Sequence, residues 1–180
     1  MNIEYIQICS LDVFTLYKNN IIELIKLSSN DDAILGYTEN TDLHKNYFLS
    51  IEQEIKHSCL EILIGLDQSE VILCCFLKRG QQDTNRHICD LQKGFIHPRY
   101  RGSGVLGMTM LEIADLCLGN GVELLTLDVR ENTRAHKLWI MCGFKTFGIL
   151  QDYSRYKNAS YNGHFMAQST KDLREKFLIS

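Results

Sequence analysis

Two short apolar runs, Leu60 to Leu66 and Val71 to Leu77, are separated by little more than Asp67, Gln68 and Ser69. Both runs are rich in β-forming residues and the residues between them favour a tight turn, so the spacing predicts an antiparallel hairpin. This hairpin sets the character of the sheet that the rest of the chain must extend.

The sequence contains a single proline, Pro98, and no low-complexity tract or repeat, so the remaining organisation is read from periodicity. Asn2 to Ile8 alternates as a strand. Ser10 offers an N-cap to a helix carrying Val13, Phe14, Tyr17, Ile21, Leu24 and Ile25, closed by Ser28 to Asp32. A second helix is expected after Thr41, where Leu43, Tyr47, Phe48, Ile51 and Ile55 fall on one face.

Beyond the hairpin, Gly80 to Asn85 is a polar loop and His87 to Ile96 a long strand, stopped at Pro98 because proline has no N–H for the ladder. A helix over about Val105 to Leu118 ends in Gly119-Asn120-Gly121. Val122 to Val129 reads as a buried strand. Asn132 is then expected to cap a helix with Ala135, Leu138, Trp139 and Cys142 on its inner face and His136 and Lys137 outside. Strands over Phe144 to Ile149 and Gly163 to Ala167 complete a mixed α/β fold, with helices on both faces of the sheet. The tail, with Leu173, Phe177 and Leu178, is expected either to pack as an amphipathic turn or to serve a dimer contact.

A chain of 180 residues is sufficient for one domain with a proper core, and 1–180 is expected to be one domain. The 19 Lys and Arg against 22 Asp and Glu leave a net charge of −3, which gives no field to draw nucleic acid or anionic lipid. Seven cysteines (Cys9, Cys59, Cys74, Cys75, Cys89, Cys117 and Cys142), odd in number and without C-x-x-C spacing, read as small buried hydrophobes rather than metal ligands. Glu4, Asp12 and Lys18 interrupt the opening segment, leaving no signal-peptide core or membrane span. A cytoplasmic protein without a metal, a nucleic-acid partner or a membrane partner is expected.

Arg99-Tyr100-Arg101-Gly102-Ser103-Gly104-Val105-Leu106-Gly107 lies where a strand passes into a helix. Glycines admit backbone conformations closed to other residues, and N–H groups at a helix start make a site for phosphate. Gly102, Gly104 and Gly107 also spell G-x-G-x-x-G, with Asp128 near the place of a ribose-binding acid. That dinucleotide reading fails because its fingerprint opens directly from the strand, whereas five residues separate Ile96 from Gly102.

IHPRYRGSGVLG followed by MTMLEIA resembles the coenzyme A loop of GNAT N-acetyltransferases, whose pattern is R/Q-x-x-G-x-G/A after a strand. The match starts at Arg101, with Leu106 where the family has Gly or Ala; starting at Arg99 also fits the glycines but fits the spacing from Pro98 less well. The resemblance implies a GNAT-like, mostly antiparallel twisted sheet and acetyl-CoA as co-substrate. Phe95 and Ile96 would hydrogen-bond the pantetheine arm, while Arg101, Gly102, Ser103, Gly104, Val105, Leu106 and Gly107 would hold the pyrophosphate.

LTLDVRENTRAHKLWIMCGF is similar to the family's later block, N-x-x-A-x-x-L-Y-x-x-x-G-F, through Asn132, Ala135, Leu138, Gly143 and Phe144. By this likeness Asn132 and Trp139 belong to the cofactor site, although Trp139 stands where the family has an acidic Tyr. Trp139 either packs against the cofactor or fills the core. Gln92-Lys93, Leu127-Asp128 and Gly148 to Tyr153 are most similar to the tabtoxin-resistance type. There, acids matching Asp90 and Asp128 are proposed to take the proton of the amine.

An amine attacks a thioester only when neutral, so a carboxylate must accept its proton. Asp90 and Asp128 are the candidate bases, against the plainer readings of a solvated strand residue and a connection cap; His97 is a third. Tyr153 or Tyr156 is the candidate acid, with water the alternative, since a thiol is already a fair leaving group. Cys142, without a nearby His, is expected in the core.

The expected activity is direct acetyl transfer to a primary amine of a small molecule or protein terminus. A non-catalytic acyl-CoA-binding or regulatory module is the alternative, motivated by Leu106 and Trp139. A homodimer is possible. Substrate choice is expected from the first two helices, the hairpin and the loop from Gln151 to Asn162.

Overall fold

The structure is a computed structural model that describes residues 2–28, 41–156 and 158–178. Among them are seven strands and five helices: β1 Glu4–Ile8, α1 Leu11–Ser28, α2 Thr41–Lys56, β2 Leu60–Asp67, β3 Glu70–Arg79, β4 Ile88–Ile96, α3 Val105–Gly119, β5 Leu124–Arg130, α4 Arg134–Cys142, β6 Lys145–Tyr156, β7 Ala159–Ser169 and α5 Thr170–Leu178. The sheet order is β1-β2-β3-β4-β5-β7-β6. The described pairings are antiparallel except that between β4 and β5.

Two compact units divide the chain, residues 1–79 with 92–109 and residues 80–91 with 110–180. In the first, the expected hairpin is present, with Asp67 opposite Glu70 across a two-residue turn. Both turn residues, Gln68 (φ 48°) and Ser69 (φ 72°), are left-handed, the conformation that matches the twist of the flanking strands. Tyr100 donates its hydroxyl to Asp67 at 3.0 Å and so braces this turn.

Strand alternation puts Ile62, Ile64 and Phe76 on one face, where Phe14, Ile21 and Leu24 of α1 and Ile51 and Ile55 of α2 bury them. Ile72, Leu73 and the buried Val105 at the start of α3 form a smaller cluster with Ile3, Tyr5 and Ile96. The first helix begins where expected, with the Ser10 hydroxyl accepting from the Val13 N–H at 3.4 Å. Its expected closing turn lies, past Ser28, outside the described residues, as does the side chain of Leu43.

In the second unit, β5 runs parallel to the start of β4, from Ile88↔Leu124 to Asp90↔Thr126, and antiparallel to β7. Only one face of β5 is buried: Leu125, Leu127 and Val129 alternate with the more open Thr126, Asp128 and Arg130, which corrects the expectation of a fully buried strand. Gly121 (φ 74°) supplies the left-handed turn after α3.

Several local expectations are corrected here. The N-cap of α4 is Thr133, whose hydroxyl accepts from the His136 N–H at 3.1 Å, because Asn132 itself is left-handed (φ 59°) and cannot cap. His136 is buried and packs its ring 4.2 Å from that of His164, while Ala135 is exposed. The segment expected as a loop over 151–162 is largely hairpin, because β6 continues through Tyr156 and β7 begins at Ala159. Two register shifts, at Thr146/Gly148 and Leu150/Ser154, bend β6 on the way. Leu173 in the tail is buried, as packing requires, and Leu178 is exposed. Cys74, Cys75, Cys89, Cys117 and Cys142 are buried as expected, whereas Cys9 is exposed.

Candidate active site

The first unit carries the anion cradle. After β4, the His97 N–H donates to the Ile72 carbonyl at 2.8 Å. The His97 ring then caps a 3-10 turn, Pro98–Tyr100, with Nδ1 accepting from the Arg99 N–H at 3.2 Å. His97 is thus occupied by the loop, and it is buried.

Arg101 is extended, Gly102 (φ 80°) and Gly104 (φ 88°) are left-handed, and α3 starts at Val105. A Cβ added to either glycine would meet no atom within 4 Å, so these positions need glycine for their backbone conformation, and the space in front of them is open. The first N–H groups of α3 point outward from a helix start without intrahelical acceptors, where the dipole favours an anion.

The two arginines divide their work. Arg99 grips both oxygens of Glu70 at 2.8 and 2.9 Å. Arg101 donates to backbone carbonyls, Nε to Ile96 at 3.3 Å and a terminal nitrogen to Ser28 at 3.4 Å, leaving its charge uncompensated by any acid among the described residues. Ser103 returns its hydroxyl to the Tyr100 carbonyl at 2.6 Å. Val105 and Phe95 are buried anchors and can offer a ligand only main-chain groups. Leu106 and Gly107 are half-buried.

Within β4, Lys93 is left-handed (φ 44°), a local departure from extended backbone just before Gly94. Nothing in the sequence marks this position, because a lysine has no preference for that conformation.

The second unit carries the acids. Asp90 accepts from the Thr126 hydroxyl at 2.9 Å, across the first β4 to β5 pairs. Asp128 is exposed on the same face of β5 and accepts a hydrogen bond from the Tyr153 hydroxyl. Burial, followed by the bond to Asp128, pushes the Tyr153 phenol well above its ordinary range, so it stays protonated and remains a donor to that carboxylate. The Tyr153 ring lies directly over Gly163, where an added Cβ would collide with it.

Asn132 and Trp139 lie in this unit as well. The Asn132 amide donates to Glu131 at 3.0 Å. Trp139 is half-buried and meets Phe144 edge-on with centroids 5.2 Å apart. Tyr156 faces the Arg130 guanidinium. Cys142 is a poor nucleophile, since burial pushes its thiol up to about 11. Among the described residues no group of three or more His, Cys, Asp or Glu could hold a metal, and no helix is long and apolar enough to cross a membrane.

No protein-family model matches the sequence, and no curated protein matches it. Solved structures do. One is an acetyltransferase of the GNAT family from Streptococcus pneumoniae, with TM-score 0.64 and 18% identity over 92% of this chain and 99% of that one. Another is the ribosomal-protein-S18-alanine N-acetyltransferase from Escherichia coli, with TM-score 0.68 and 15% identity over 93% and 94%. A third is a Salmonella typhimurium protein solved with its cofactor acetyl-CoA, with TM-score 0.64 and 13% identity over 94% and 95%. The chain therefore has the mixed α/β fold of the GNAT acetyltransferases.

Proposed function

We propose that the protein transfers an acetyl group from acetyl-CoA to a primary amine by direct attack. The observation that carries this reading is the segment from Ile96 to Val105, in which two left-handed glycines open α3 beside an arginine that has no acidic partner among the described residues. Its open front, helix N–H groups and guanidinium charge suit a pyrophosphate. The amides of Gly102 and of Gly104 to Gly107, with the Arg101 guanidinium, would hold that group. When bound, acetyl-CoA supplies the acyl group as an activated thioester.

The chain's own contribution to the chemistry is proton management. Asp128 is exposed, so an incoming ammonium can reach it, and its carboxylate takes the proton that the amine must lose. Tyr153 keeps one oxygen of that carboxylate fixed in direction by donating to it. With its proton committed to Asp128, Tyr153 acts in this reading as a positioning residue. Asp90, held by Thr126, adds negative charge that favours a cationic acceptor.

Thiol release from acetyl-CoA across a panel of amines tests this. Release should depend on the amine and fall by about 10²- to 10⁴-fold in Asp128→Asn, with coenzyme A affinity retained. Coenzyme A binding without amine-dependent release from any acceptor would favour a non-catalytic acyl-CoA-binding module instead.

A further inference from the structure

The face of the second unit that carries Asp128 also carries aromatic surface that its own core does not use. Asp128 pairs directly with Phe165 across β5 and β7, so the two side chains share a face. Phe165 is only partly buried, and the rings of Tyr153 and Phe147 lie 5.9 and 6.5 Å from it. Phe147 sits at the first register shift of β6 and is 67% exposed. Leu150, opposite Gly163 and therefore on the same side, is 52% exposed. Large apolar groups left open in a row need an occupant or cost solubility.

The charges next to this shelf say which occupant fits. Asp90 and Asp128 stand at one end of it, complementary to a single ammonium. On the same side of β5, two residues past Asp128, the Arg130 guanidinium lies over the rings of Tyr156 and Tyr161, 5.7 Å from each centroid. A fixed cation there opposes a second positive charge on the ligand, which disfavours polyamines.

We propose that the acceptor is a monoamine with an aromatic body, its ammonium at Asp128 and its ring on Phe147 and Phe165. This rests on the acetyl-transfer reading and adds the substrate class to it. Phe147 is the specificity-determining residue: it supplies most of the open ring surface and has no carboxylate of its own to offer the amine. Gly163 contributes indirectly, since its missing side chain leaves room for the Tyr153 ring, which meets Phe165 edge-on while its hydroxyl donates to Asp128.

The test compares 2-phenylethylamine, ethanolamine and spermidine as acceptors at saturating acetyl-CoA, reading thiol release for wild type, Phe147→Ala and Phe147→Leu. For wild type, kcat/KM should favour 2-phenylethylamine over both others by about tenfold or more. Phe147→Ala should collapse that preference, mainly through KM, and Phe147→Leu should keep part of it. Because Phe147 is exposed, these variants leave the core intact, and an unchanged melting temperature verifies it. Equal or better turnover of ethanolamine or spermidine overturns the proposal, as does a preference unmoved by Phe147→Ala. If no amine is acetylated, the acetyl-transfer reading fails by itself, and calorimetry with 2-phenylethylamine decides the shelf: binding weakened by Phe147→Ala supports it, and no binding overturns it.

Discussion

Gly104→Ala isolates the backbone geometry of the anion cradle. Gly104 has φ 88°, a conformation that costs an L-residue roughly 1–2 kcal/mol. An added Cβ meets no atom within 4 Å, so no steric term adds to this strain in the free protein. The cost then divides in one of two ways. If the loop keeps its conformation, unfolding free energy drops by the full strain, and the melting temperature falls by about 2–8 °C for a chain of this size. If the loop relaxes, stability is unchanged and coenzyme A must restore the strained form, which weakens binding by about 5- to 30-fold. Thermal unfolding and calorimetric titration of coenzyme A, run on both proteins, should show losses that together amount to that 1–2 kcal/mol. A variant with neither loss would refute the assignment of a left-handed glycine to this loop and its use in binding.

The remaining expectations concern the second unit. Tyr153→Phe removes the hydroxyl that directs Asp128 and should lower kcat by less than Asp128→Asn does, with coenzyme A affinity retained; equal losses would make Tyr153 a proton carrier in its own right. Gly163→Ala drives a methyl group into the Tyr153 ring and should cost about 1–3 kcal/mol by thermal unfolding, most of it recovered in a Tyr153→Ala background. His136 is held below its ordinary value of 6.5 by burial and by His164, with Glu131 opposing, so the folded state binds fewer protons than the unfolded state as pH falls through that value. Stability should therefore decline below about pH 6.5, and His136→Gln should flatten that limb in pH-dependent melting curves; an unaltered limb would contradict it.

Order and type of the elements were legible where burial is one-sided and local. Phe14, Ile21 and Leu24 mark α1 by spacing alone, and the turn at Gln68-Ser69 follows from two apolar runs on either side. The rest depends on partners distant in sequence. Asn132 and Thr133 are both good caps, and only the left-handed backbone at Asn132 passes the role to Thr133. His136 reads as a surface residue until β7 brings His164 against it. The end strand β6, exposed along most of its length, shows no alternation from which its extent could be read. The glycines and arginines of the cradle were visible as a motif, because the N–H groups of consecutive residues do the work. That Arg99 is spent on Glu70 while Arg101 donates to backbone carbonyls was not visible, since it depends on the hairpin. The pairing of Tyr153 with Asp128 is likewise a product of sheet register across β7.

The most direct test of the central claim is calorimetric titration of acetyl-CoA into the protein, with 3′-dephospho-CoA and NAD as comparisons. Saturable binding of one acetyl-CoA per chain, weakened by Arg101→Ala and absent for NAD, is the expected result. Binding of NAD in preference to acetyl-CoA, or no binding of acetyl-CoA, would contradict the assignment of the Ile96 to Val105 segment to coenzyme A.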